Sequence, residues 1–103
     1  MLLILNKSPW AENYGSILEV VCKASESVEK VAVLYIQDAC IAATINDYCD
    51  KLAENRIEIF ALEADCEARG LMKKLCSKVK LVDYKQWITL VMNRHDKIVS
   101  WTS

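Results

Sequence analysis

The chain reads as an α/β protein, a three-layer α/β/α arrangement around a five-stranded, mostly parallel sheet. Three observations predict it. Short apolar runs rich in Val, Ile and Leu recur along the sequence, as strands buried on both faces require. Between them, apolar residues fall at i, i+3, i+4 and i+7, the spacing of a helix with one buried face. The connections are short, so strand–helix–strand crossovers are right-handed and lay the strands parallel.

Residues 2–5 form the first apolar run, closed by the Asn6-Lys7-Ser8-Pro9 turn signal. From Asn13 the pattern is helical, with Tyr14, Ile17, Leu18, Val21 and Cys22 on one stripe; the polar stretch 25–30 ends it. Residues 31–36 are a second strand, followed by Ile41, Ile45, Tyr48, Cys49 and Leu52 at helical spacing. Residues 57–62 make a third strand, after which Asp65 is placed to cap a helix carrying Ala68, Leu71, Met72, Leu75 and Cys76. Residues 79–82 are the fourth strand. Asp83 and Gln86 form a capping-box pattern opening a helix with Trp87, Ile88, Val91 and Met92 inward. Residues 98–101 give the fifth strand.

With 103 residues and 11.7 kDa, the chain is expected to be a single domain spanning 1–103. A chain of this mass buries roughly 65% of the surface it exposes when unfolded, enough for a core without staples. Two Gly, one Pro and 53% apolar residues exclude disordered, collagen-like and linker classes. Thirteen basic against fourteen acidic residues leave a net charge of −1, so no general attraction for nucleic acid or an anionic membrane is implied. The apolar start is too short for a signal core or a membrane span.

Five cysteines stand at Cys22, Cys40, Cys49, Cys66 and Cys76. An odd number cannot all pair within one chain, no leader precedes them, and a reducing cytosol is the expected setting. With no Cys-x-x-Cys and a single His, neither a metal site nor a cofactor is expected. Cys22, Cys49 and Cys76 fall in apolar helical stripes and read as small core residues. Cys40 and Cys66 follow the second and third strands, at the carboxyl edge where parallel sheets place their ligands. Unpaired N–H groups at a helix start would favour a thiolate at either. Asp38 counts against Cys40, and Glu63, Asp65 and Glu67 against Cys66, with Arg69 as an offset. Cys66 is the better reactive thiol.

Other chemistries find little support. The two glycines, Gly15 and Gly70, form no phosphate-cradling motif, and the loop after the first strand lacks the acidic residues of a phosphoacceptor. His95, beside Arg94, reads as positive charge suited to a helix end, and Lys73-Lys74 as a solvated face. Trp10 and Trp101 read as core aromatics, with an interface as the alternative.

Asn6-Lys7-Ser8-Pro9-Trp10 after a short strand resembles the opening of the TusB/DsrH family of sulfur-relay subunits. Asp38 with Ala42-Ala43 is similar to that family's Asp-Gly-x-x-Ala-Ala loop, with Ala39 in place of the usual Gly. Ala61-Leu62-Glu63, Asp65 and Ala68-Arg69-Gly70-Leu71 resemble its next segment. Val82-Asp83-Tyr84 and His95-Asp96-Lys97 with Ser100-Trp101 complete the likeness, which covers essentially the whole chain.

The resemblance implies a DsrE-like fold, flavodoxin-like in general architecture, and a place in a cytoplasmic hetero-oligomer with TusC/DsrF-like and TusD/DsrE-like subunits. There sulfur passes as a cysteine persulfide towards a TusE/DsrC-like acceptor, in tRNA wobble-uridine 2-thiolation or in dissimilatory sulfur oxidation. Any tRNA contact would then be indirect. The chain would be at most a persulfide carrier rather than an enzyme on its own, with Cys66 and then Cys22 as candidate sulfur-carrying thiols. Cys66 lies in the same general region as the active cysteine of the TusD/DsrE relatives. Cys22 lies in the first helix, as does a cysteine of some DsrH-type members, but about a turn late. The alternatives are an assembly subunit with no sulfur-carrying thiol, a stand-alone small-ligand-binding domain, and self-association where partners are absent.

Overall fold

The computed structural model describes residues 1–7, 10, 14–27, 30–93 and 98–101. Ser8, Pro9 and Asn13 of the first turn and helix start, and the 94–97 stretch with His95, lie outside the described residues. Strand β1 (Leu2–Leu5) leads to α1 (Tyr14–Ser27), then β2 (Ala32–Tyr35), a 3₁₀ helix (Gln37–Thr44) and α2 (Asn46–Glu54). Strand β3 (Glu58–Leu62) is followed by α3 (Glu63–Ala68), β4 (Val79–Val82), α4 (Tyr84–Asn93) and β5 (Ile98–Trp101). The sheet order is β4-β3-β2-β1-β5, and every neighbouring pair is parallel.

Register sorts the strand residues into two cores, because successive side chains point to opposite faces. Leu3 pairs with Val33 and Val33 with Ile59; Leu5 pairs with Tyr35 and Tyr35 with Ala61; all six enter one cluster. Leu2 pairs with Ala32, and Ile4 with Leu34, which pairs with Phe60; these enter the other. The strand order decides which helices cover which face. Three right-handed crossovers step from β1 to β4 in one direction, so α1, α2 and α3 share a face. Tyr14, Leu18, Val21, Cys49, Leu52 and Cys66 all enter the first cluster accordingly. The last crossover runs back across the sheet to β5, which puts α4 on the other face, with Leu90, Trp87 and Val91 against the second cluster.

Asp83 and Gln86 form the expected capping box. The Gln86 N–H donates to Asp83 Oδ1 at 2.7 Å, and the Asp83 N–H to Gln86 Oε1 at 2.9 Å. The inward face of α4 differs from the expectation. Leu90 is buried, whereas Ile88 and Met92 are 60% and 74% exposed. Trp10, read as a core aromatic, is 76% exposed.

The third helix also differs: it is six residues long and stops well before Cys76. The Leu71 N–H donates to the Cys66 carbonyl at 3.0 Å and the Gly70 N–H to the Glu67 carbonyl at 3.1 Å, a Schellman stop. Gly70 takes the left-handed φ of +66° that this stop requires. Leu71, Leu75 and Cys76 still reach the core, from turns rather than from a helix. Asp65 caps nothing; its carboxylate is used elsewhere.

Candidate functional site at the carboxyl edge of the sheet

The loops leaving β1, β2 and β3 meet at the carboxyl edge, where a parallel sheet presents its ligand-binding end. Asn6 from the first loop donates through Nδ2 to Gln37 Oε1 at 3.2 Å. The Gln37 N–H donates to Asp65 Oδ2 at 2.7 Å, joining the second loop to α3. Gln37 holds a φ of 51°, a left-handed backbone uncommon outside glycine. Ala39, by contrast, is not among the residues of positive φ. A second tie runs between Arg69 Nε and Asp38 Oδ1 at 3.2 Å, while Arg69 Nη1 donates to the Asp65 carbonyl at 3.3 Å.

Cys40 of the 3₁₀ helix and Cys66 of α3 are both fully buried. Their thiols are hydrogen-bonded to each other. The single Cys40 proton has a second acceptor in reach, the Tyr35 carbonyl at 3.5 Å, and a charged Cys66 sulfur is the stronger of the two. That donation holds the Cys66 thiol below its ordinary range, against burial and the acidic neighbours Asp65 and Glu63, with Arg69 helping. The same contact, with burial, pushes Cys40 up.

This pairing was not visible in sequence, where Cys40 was set aside because of Asp38. Asp38 turns its carboxylate to Arg69 instead. Both thiols sit in the first helical turns after successive strands, and that shared placement is the signal that could have paired them. The thiolate-favouring group at Cys66 is the neighbouring S–H, not a helix start.

Cys22 lies on α1 and is not brought to this pair. The helix runs back from the carboxyl edge, so Cys22 is about 12 Å along it from Tyr14. It is partly buried, and burial pushes its thiol up, opposed by Lys51 and reinforced by Glu19 and Glu26. Cys49 is buried, with its sulfur 3.8 Å from the carbonyl oxygens of Ala42 and Ala43. Burial, first, and a hydrogen bond to Cys76 push its thiol up. The Cys76 N–H fastens that segment to the Ala43 carbonyl at 2.9 Å. Among the described residues, no group of three or more His, Cys, Asp and Glu is placed to hold a metal ion.

A family model described as "DsrH like protein" matches residues 7–97. The chain belongs to the DsrH family. Protein TusB of Escherichia coli strain K12 is 29% identical over 102 residues, covering 98% of this chain and 100% of its own length. Protein TusB of Shigella dysenteriae serotype 1 is 28% identical with the same coverage. Among solved structures, the ychN protein of E. coli superposes with a TM-score of 0.81 at 14% identity, covering 97% of both chains. A conserved protein of unknown function from Bacteroides thetaiotaomicron gives 0.74 at 13% identity, covering 97% of this chain and 93% of its own. These two likenesses establish a mixed α/β fold with a parallel sheet.

Within this DsrH-family chain, the motif residues Asn6, Asp38, Asp65, Arg69 and Gly70 are those that fasten the carboxyl edge. Asn6 and Asp65 hold Gln37 between them, Arg69 clasps Asp38, and Gly70 ends the helix that carries Cys66. Together they position a thiol pair.

Proposed function

We propose that the chain is a subunit of a cytoplasmic sulfur relay in which sulfur moves between proteins as a cysteine persulfide, with Cys66 as its sulfur-carrying thiol. Membership of the DsrH family and full-length relatives named TusB support the tRNA wobble-uridine 2-thiolation branch; dissimilatory sulfur oxidation is the alternative branch. The partners in this reading are TusC/DsrF-like and TusD/DsrE-like subunits, with a TusE/DsrC-like acceptor beyond them. The unit is one domain spanning 1–103, with five strands between two helical layers. The single observation that supports this reading is the Cys66 sulfur at the carboxyl edge, where it accepts the Cys40 proton.

Cys22 is the second candidate, and burial without a compensating donor makes its thiol the poorer nucleophile. Incubation with a cysteine desulfurase and cysteine, followed by intact-mass measurement, tests the reading. Sulfur is expected to arrive at Cys66, read as one extra sulfur or as the disulfide left when that sulfur is discharged, lost in Cys66→Ser and retained in Cys22→Ser. Neither product, or one indifferent to both substitutions, would remove these thiols from the relay.

A second reading, an assembly subunit with no sulfur-carrying thiol, is favoured by the complete burial of Cys66. It predicts that a cysteine-free variant still assembles with co-expressed partner subunits and supports their sulfur transfer. Size exclusion of the same co-expressed proteins separates both from a stand-alone ligand-binding domain, which would elute by itself.

A further inference from the structure

The Cys40–Cys66 contact joins two thiols from different helical segments, both fully buried and hydrogen-bonded to each other. The elements that carry them, the 3₁₀ helix and α3, pack against each other. A thiol held this way against a sulfur-carrying cysteine is placed to attack it. We propose that Cys40 is a resolving thiol for a persulfide on Cys66, closing a Cys40–Cys66 disulfide and releasing the carried sulfur as hydrogen sulfide. This rests on the reading of Cys66 as a sulfur-carrying thiol and adds a discharge route that needs no second protein.

The step balances within the pair. Cys66 holds the persulfide Sγ–S–H, and the Cys40 sulfur attacks Cys66 Sγ. The new Sγ–Sγ bond forms as the bond from Cys66 Sγ to the outer sulfur breaks. That sulfur leaves with the bonding electron pair as hydrosulfide, and the proton of the Cys40 thiol goes to it, giving hydrogen sulfide. The two cysteine sulfurs end oxidised to a disulfide, and the outer sulfur ends reduced to sulfide. The sulfane sulfur is therefore the oxidant, and no further one is required.

The two buried thiol pairs differ in what closes them off. Above Cys40 and Cys66 lie the Asp38–Arg69 ion pair, whose side chains are 66% and 31% exposed, and a helix of six residues. An exposed ion pair holds little energy, and one short helix opens locally at low cost. Local opening there would admit a small sulfane reagent. Cys49 and Cys76 are instead tied to Ala43, whose carbonyl lies 3.8 Å from Cys49 Sγ and accepts the Cys76 N–H.

The test treats the full chain with inorganic polysulfide and reads intact mass, disulfide-linked peptides and sulfide evolved. Wild type is expected to lose two hydrogens, to yield a peptide linking Cys40 with Cys66, and to release sulfide. Cys40→Ser and Cys40→Ala are expected to trap one extra sulfur on Cys66 and to lose the further equivalent of sulfide that accompanies disulfide closure. Should either variant fail to fold, the linked wild-type peptide and its sulfide remain decisive. A wild-type chain that keeps a stable extra sulfur on Cys66 without forming the Cys40–Cys66 link overturns the resolving role while leaving the carrier reading intact. A disulfide between Cys49 and Cys76 in place of the Cys40–Cys66 link also overturns it. If neither wild type nor the Cys40 variants place sulfur on Cys66, the carrier reading falls and the resolving role falls with it.

Discussion

Asp65 accepts the backbone N–H of Gln37 at 2.7 Å, tying the helix after β3 to the turn after β2. The bond does two things at once. It satisfies an N–H that the left-handed turn at Gln37 leaves outside any ladder, and it holds α3 down over Cys40. The Arg69–Asp38 pair runs alongside it between the same two segments.

Asp65→Ala is therefore expected to cost about 1 kcal/mol, the usual net worth of one such hydrogen bond. Urea denaturation measures that loss. The same variant should label faster with iodoacetamide at Cys40 and Cys66 under native conditions, with Cys49 and Cys76 unchanged. Equal acceleration at all four would mean that the substitution loosens the whole domain instead of this edge.

The Cys66 titration depends on Cys40. With the Cys40 S–H donating to it, the Cys66 thiolate is favoured and its titration lies below that of an ordinary thiol. Cys40→Ala removes the donor and leaves burial, Asp65 and Glu63, all of which raise the value, opposed only by Arg69. The midpoint followed by the Cys66 Cβ chemical shift should move to higher pH in the variant. A downward move would contradict the donor–acceptor direction assigned to the pair.

The capping box fixes where α4 begins. Asp83→Ala should cost about 1 kcal/mol, because the Gln86 N–H loses its acceptor and the reciprocal bond loses its anchor. Asp83→Ser should recover most of that loss in a thermal melt, since a serine hydroxyl can accept the same N–H.

Helix α4 offers a contrast within two residues. Leu90 is buried and Leu90→Ala should cost roughly 2–4 kcal/mol, whereas Ile88→Ala, at a largely exposed position, should stay within about 0.5 kcal/mol. Chemical denaturation of the two variants checks the orientation of the helix directly.

Local devices were legible in the chain. The stripe from Tyr14 to Cys22 packs as its spacing requires, and the Asp83–Gln86 box forms bond for bond. Gly70 carries a helix-stop signal a few residues past Asp65, which the continuing-helix reading from the apolar spacing of Leu71, Leu75 and Cys76 passed over. Both signals were real: the glycine set the backbone, and the apolar residues reach the core from turns. In α4, the apolar positions outnumber those one sheet face can cover, so spacing alone could not separate Leu90 from Ile88.

The five cysteines mark the boundary between the two kinds of information. Sequence by itself determined the alternation of strands and helices, because hydrophobic spacing and end signals act over a few residues. It also determined that Cys40 and Cys66 follow adjacent strands. Only the tertiary structure decided that these two thiols touch, that Cys49 meets Cys76, and that Asp38 answers Arg69 rather than a cysteine. Those contacts join residues 26 to 31 positions apart in the chain, brought side by side by parallel strand pairing. A thiol's chemistry is set by the groups within a few ångströms, and no local pattern names them.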